Sequence, residues 1–263
     1  VSFSRPAADI SWGIPVPGDE SQTMYVWCDA LTNYLSAIGY GRDQSWKKWW
    51  PADLHVLGKD NLRFHAAIWP GMLLSAGLDL PRTLLVHGFI QVGGRKMSKT
   101  LGNVVDPYEL VRHYGTDAVR YYFSREVPTF EDGDFTQEKF SKAYEGNLVN
   151  GLGNYIQRVS TMARSYFAGA IERVPDSELL KVPLKKGEVE YVSVPYFIEE
   201  VVWKDYKKFM DGLELNRAIE SVFGLLNALD GYVQDYEPFK LVKNDPERAK
   251  VVLWNLCYGA VSA

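Results

Sequence analysis

The chain has 263 residues, 46% hydrophobic and 24% charged, with a formal net charge of −4. That length and apolar content supply one large or two modest cores and exclude a disordered chain. The slightly negative balance excludes a broadly basic nucleic-acid binder, and no apolar run reaches the ~18 residues of a membrane span, so any RNA contact must use a local face.

In chain order, residues 23–27 are β-branched and aromatic and predict a strand, with a helix over 30–38. Residues 54–57 predict a second strand, ended by Gly58. Residues 62–76 carry helical periodicity interrupted by Pro70-Gly71, and 83–86 predict a third strand running on through Phe89-Ile90. This β-α-β-α-β order predicts a parallel sheet covered by helices, with ligands beyond the carboxyl ends of its strands. Residues 107–123 predict two short helices joined near Gly115-Thr116, and 129–135 an acidic connector. From Thr136 onward the pattern is helical without a convincing strand: 137–167, 196–210, 214–236 and 246 to the end. A Pro- and Gly-containing connection covers 169–194. The domain expectation is 1–103, a connector over 104–135, and a helical domain over 136–263.

Three stretches carry chemistry. Gly94-Arg95-Lys96-Met97-Ser98-Lys99-Thr100-Leu101-Gly102-Asn103 presents two lysines between glycines. It is not a P-loop, and a bare K-x-x-K would be a solvated basic turn. Gly58-Lys59-Asp60 ends a strand, where glycine lets a ligand approach the backbone and Asp60 offers an acceptor to ribose hydroxyls; His65 follows on the helix. Trp27 and Tyr34 flank an expected strand-to-helix junction. They wall a small apolar pocket or belong to the core, and the segment alone favours the core.

Taken in order, Trp12-Gly13-Ile14-Pro15-Val16-Pro17, Tyr25-Val26-Trp27 with Asp29-Ala30, Gly58-Lys59-Asp60 with Arg63-Phe64-His65 and Trp69-Pro70, Val86-His87-Gly88-Phe89, and Lys96-Met97-Ser98-Lys99 resemble the motifs of the methionyl-tRNA synthetase family. Thr100 replaces the final Ser of the K-M-S-K-S motif and keeps a hydroxyl. The resemblance implies the second half of a Rossmann-like class I catalytic domain, then an all-α anticodon-binding bundle. It implies a methionine–tRNA ligase using ATP with Mg2+, with methionine and tRNA(Met) as partners, in the cytoplasm.

By position, it implies that Trp27, Ala30, Leu31, Tyr34, Asn61 and His65 line the methionine site, Asn61 standing where the family usually has Ile. Gly58 and Asp60 would contact the adenosine, Lys96, Met97, Ser98 and Lys99 the phosphates, and Lys96 and Lys99 would be catalytic. Asn154, Arg158 and Phe239 would read the CAU anticodon, Phe239 replacing a Trp; its other reading is a core residue at a helix end. Asp117, Arg120 and Arg125 are expected as ion-paired packing residues.

Cys28 and Cys257 are isolated and expected as buried free thiols, so no metal site is expected in this chain, which fits a reducing compartment. None of the four histidines makes an H-x-G-H. Val1 is not an initiator Met and the N-terminus lacks a signal-peptide pattern. The chain is therefore read as a fragment, inactive by itself. Two other readings are a non-catalytic RNA-binding module and a class I synthetase for Leu, Ile or Val.

Overall fold

The computed structural model describes residues 4–98, 100–172, 178–183 and 189–263, and the chain divides into two units, Val1–His87 and Gly88–Ala263. In the first, β1 (Ser4–Pro6), β2 (Pro15–Val16) and β3 (Asp19–Met24) form an antiparallel sheet in the order β1-β3-β2. Helix α1 (Val26–Ser36) follows and buries Leu31 and Leu35 on one face. The strand expected over 23–27 therefore ends at Met24 and pairs antiparallel, outside any parallel sheet. Trp27 and Tyr34 lie on one helix, seven residues and so about two turns apart on the same side. Tyr25 keeps an extended backbone as the residue that caps α1, and tertiary burial of the α1 face overrides the local β preference of Val26 and Trp27.

Strands β4 (Leu54–Gly58) and β5 (Thr83–His87) form the expected parallel pair, in register from Leu54↔Thr83 to Gly58↔His87. Along β4 the side chains of His55 and Leu57 are buried while Leu54 and Val56 face outward, the period-2 pattern of a strand with one covered face. The expected 62–76 helix starts as a π-helical turn (Phe64–Ile68) and continues as α2 (Trp69–Ser75). The change of helix type falls just before Pro70, whose missing N–H cannot join a regular ladder. Leu31, Leu35, Trp50, Trp69 and Leu73 form the core of this unit.

In the second unit, β6 (Ile90–Val92) pairs antiparallel with β7 (Arg95–Lys96) and parallel with β8 (Gly133–Phe135). Residues 89–90 thus start a new sheet instead of extending β5, and the connector expected over 129–135 contains a strand. Between them run α3 (Pro107–Tyr114) and α4 (Thr116–Arg125). Asp106 caps α3 by accepting from the Tyr108 N–H at 2.8 Å, with Pro107 in the first turn. Of the three residues expected as ion-paired packers, Arg125 fits: it meets Glu126 at 3.4 Å and lies 4.4 Å over the Phe223 ring. Asp117 and Arg120 are exposed, with no ion pair among the described residues, because α4 turns its buried face through Ala118, Val119 and Tyr122.

The helical part runs α5 (Gln137–Ala143), a π-helical stretch (Tyr144–Gly153) and α6 (Asn154–Phe167). A hairpin of β9 (Leu180–Pro183) and β10 (Val189–Val192) then corrects the expectation of a strand-free half. Next come α7 (Val194–Tyr196), another π-helical turn (Phe197–Val202), α8 (Trp203–Asp211), α9 (Leu215–Tyr236), the unanticipated α10 (Pro238–Asn244) and α11 (Pro246–Ser262). Tyr155 and Val159 of α6, Leu225, Leu229 and Tyr232 of α9, and Val252, Leu253 and Leu256 of α11 interlock in one core. Each buried Leu contributes about 2 kcal/mol. A Cβ at Gly259 would overlap Leu229, so α11 meets α9 through a missing side chain. Both cysteines are half-buried, less enclosed than expected, and burial raises both thiol pKa values.

Candidate active site

Helix α1 and the π-helical turn place an aromatic group around His65. The Trp27 ring stacks on Phe64, with centroids 4.1 Å apart and planes 10° from parallel. Trp27 is also edge-on to the His65 ring at 6.1 Å. The Tyr34 hydroxyl lies 3.0 Å from His65 Nε2, and His65 Nδ1 lies 3.0 Å from the Asn61 main-chain oxygen. A carbonyl only accepts, so Nδ1 carries the proton. In the neutral ring Nε2 therefore accepts from the Tyr34 O–H. His65 is only 4% exposed, so two hydrogen bonds in series fix a buried imidazole.

The sequence-derived set is only partly assembled by this geometry. Trp27, Tyr34 and His65 come together. Asn61 joins through its main-chain carbonyl, while its side-chain amide makes no hydrogen bond among the described residues. Ala30 faces outward, and Leu31 packs beneath the aromatic group with Trp50 and Trp69. Sequence reading missed Phe64 as a stacking partner, and it missed His55 and Trp69, which flank Tyr34 at 4.4 and 6.1 Å. No local signal marks His55, because Leu54, Val56 and Leu57 around it are all apolar and leave the covered face of β4 open.

Gly58 and Asp60 stand at the carboxyl end of β4. A Cβ at Gly58 would lie 3.2 Å from Asp60 Oδ1 and 3.7 Å from His87 Cε1. Gly58 has an ordinary extended φ of −73°, so glycine here serves space and not torsion. Asp60 sits in an exposed turn of 3-10 helix. The parallel strands thus end at a surface where a ligand can meet main chain, carboxylate and imidazole together.

In the second unit, Gly93 and Gly94 turn β6 into β7 with φ of +59° and +71°, angles that suit a tight hairpin turn. The hairpin is tied by side chains. The Gly94 N–H donates to Asp134 Oδ1 at 2.7 Å, and the other Asp134 oxygen accepts from Lys139 Nζ at 2.7 Å. Lys139 and the Gly94 N–H hold the Asp134 carboxyl below its ordinary pKa. Asp132 accepts from the Phe89 N–H at 2.8 Å. Asn103 folds back over the lysine segment, accepting from the Ser98 N–H at 2.8 Å and donating to the Lys96 carbonyl at 3.3 Å. Lys96 is exposed, its ammonium 4.4 Å from the Phe89 ring centroid, and Met97 and Ser98 are half-buried. Lys99 lies outside the described residues. Asp132, Asp134 and Asn103 were not singled out from sequence.

Asn154 and Arg158 occupy successive turns of α6. Asn154 is exposed, and Arg158 Nη1 binds Asp230 of α9 at 3.0 Å. Phe239 stands on α10, 42% exposed, so it is no core residue. No hydrogen bond, ring contact or cation–π contact joins it to Asn154 or Arg158 among the described residues. Nor do the described residues contain a cluster of three or more His, Cys, Asp or Glu that could hold a metal ion, or a helix long and apolar enough to cross a membrane.

The fold and the ordered motifs meet in one class: the chain belongs to the class I tRNA synthetases, and the family described as tRNA synthetases class I (M) matches residues 2–160. Methionine–tRNA ligases are among its relatives within that class. That of Mesorhizobium japonicum is 41% identical over 257 residues, covering 97% of this chain and 47% of that protein. That of Thermotoga maritima is 39% identical over 246 residues, covering 93% and 37%. The solved Mycobacterium tuberculosis methionyl-tRNA synthetase in complex with methionyl-adenylate matches with a TM-score of 0.80 at 33% identity, over 100% of this chain and 50% of that one. Its apo form matches at 0.78 and 31%. The chain therefore spans about half the length of these relatives or less.

Proposed function

We propose that the protein bearing this chain is a methionine–tRNA ligase, using Mg2+-ATP to form methionyl-adenylate and then charging tRNA(Met) in the cytoplasm. The observation that carries this reading is the Tyr34–His65–Asn61 hydrogen-bond series beside the Trp27–Phe64 stack. An unbranched, polarisable thioether packs well against aromatic rings, whereas branched Leu, Ile and Val side chains fill such a slot poorly. With Nδ1 donating to the Asn61 carbonyl, Nε2 is left to accept from the Tyr34 hydroxyl, giving the pocket one fixed polar edge; Leu31 underlies it, the Asn61 carbonyl anchors His65, and Ala30 enters from the motif match alone.

In this reading Gly58 and Asp60 hold the adenosine, Asp60 as acceptor for the sugar. A methionine carboxylate oxygen attacks the α-phosphorus. The bond to the bridging oxygen breaks, its electron pair leaves with pyrophosphate, and the ammonium groups of Lys96 and Lys99 offset the growing charge, with Met97 and Ser98 beside them. A tRNA terminal hydroxyl then attacks the adenylate carbonyl and AMP departs. Lys99 enters from sequence alone. Residues 1–103 act as part of the catalytic domain, 104–135 as a connector, and 136–263 as the anticodon-binding domain. There Asn154 and Arg158 meet base edges and Phe239 stacks a base.

The test is amino-acid-dependent ATP–pyrophosphate exchange by the full-length gene product. Methionine should drive exchange at least ~100-fold better than Leu, Ile or Val, and the 263-residue chain alone should give none. Exchange driven equally by a branched amino acid overturns the assignment. Equal affinity for a CAU and a scrambled anticodon stem-loop removes the anticodon roles.

A further inference from the structure

His55 is 5% exposed, turned inward by the alternation of β4, and its Nε2 is buried without a hydrogen-bond partner among the described residues. An imidazole buried this way is disfavoured against an apolar side chain of similar size. Leu57, two residues along on the same face, shows that an aliphatic residue suits this surface. Stability therefore does not explain the histidine. What it does make is a close aromatic contact: its ring lies 4.4 Å from that of Tyr34 at 86°, an edge-to-face pair. Trp50 closes on His55 from behind, edge-on at 6.1 Å, and the His65 ring is 6.2 Å away. Tyr34 is the one member of the Tyr34–His65–Asn61 series that is substantially exposed, at 37%. Its hydroxyl stays on His65 only while the ring plane is held.

We infer that His55 is a positioning residue for amino-acid recognition, its ring setting the plane of Tyr34 so that the phenol donates to His65 Nε2. The inference rests on the methionine-pocket reading above. His55 touches neither substrate nor reacting atoms in this role; it acts through Tyr34. The ring and not its nitrogen does the work, so a phenyl group at 55 should substitute and an aliphatic one should not.

The test uses the full-length gene product with His55→Leu and His55→Phe, each alone and combined with Tyr34→Phe, reading KM for methionine and for ATP in the exchange assay. Leucine conserves volume and keeps the fold. His55→Leu should raise the methionine KM about fivefold to tenfold, the scale of one lost aromatic pair, while the ATP KM and kcat stay within about twofold. His55→Phe should remain within about threefold of the parent. In the Tyr34→Phe background, where there is no hydroxyl to place, His55→Leu should add less than about twofold. A methionine KM unmoved by His55→Leu, or raised equally in both backgrounds, overturns the inference, and so does a tenfold rise in His55→Phe. That last arm decides even if the leucine variant fails to fold. Absence of methionine-dependent exchange in the unmodified protein would instead overturn the pocket reading itself.

Discussion

The aromatic pocket of the first unit and the lysine hairpin of the second are held by opposite means. In the pocket, rings pack on rings above the fully buried Leu31 and Trp69, and two hydrogen bonds in series lock His65. In the hairpin, carboxylates and a carboxamide grip main-chain groups near the surface, where water competes for every bond. The side chain that matters there, Lys96, rests on Phe89 through a cation–π contact of about 0.5–1 kcal/mol. A rigid wall suits discrimination among amino acids, where one methylene is worth only about 1–3 kcal/mol and a loose pocket forfeits it. In the reaction proposed above, the Lys96 ammonium would exchange this ring for phosphate.

The largest expected effect separates the two regions. Lys96→Ala in the full-length gene product should lower the exchange rate ~100-fold or more, the cost of losing one preplaced charge, while methionine binding followed by tryptophan fluorescence stays unchanged. A matching loss of methionine affinity would break the comparison. A smaller effect sharpens it: Asn103→Ala removes two bonds from the lysine segment and should slow exchange about tenfold with the methionine KM unmoved. Asn103→Asp keeps the acceptor for Ser98 and should recover part of the rate.

The smallest effect belongs to the pocket and is read as stability. Burial first, and then the neighbouring His65, hold the His55 pKa below its ordinary value of 6.5. The unfolded chain takes up that proton near pH 6.5 and the folded one resists. The neutral state's stabilising contribution is therefore present above pH 6.5 and is lost as pH falls through the lowered folded pKa. One proton gives a slope of at most ~1.4 kcal/mol per pH unit. Urea midpoints between pH 7 and 5 should fall less steeply in His55→Phe than in the parent. Parallel slopes would show that His55 is not held neutral.

Much of this was legible in the residues, because helices such as α9 and strands such as β4 and β5 announce themselves through local period. Pairing does not. Nothing local distinguishes β3, which joins an antiparallel sheet, from a strand of a parallel one, and β8 is three residues whose partner lies more than forty positions back. The hairpin of β9 and β10 hid in a Pro- and Gly-containing connection for the same reason. At the site, Trp27, Tyr34 and His65 were visible because motif order marks them. His55 was not, since a histidine in a strand discloses its direction only once the covered face is known. Asn103 was quoted within its motif but not as a clamp, because a side chain folding back on its own loop leaves no periodic trace.

Asp134 shares its two oxygens between the tip of the lysine hairpin and Lys139 in the first turn of α5. Helix and hairpin are thereby yoked through a single carboxylate. A tilt at the head of α5 must drag the glycine tip along or snap the yoke, so mechanical strain applied to that helix has a short route to Lys96.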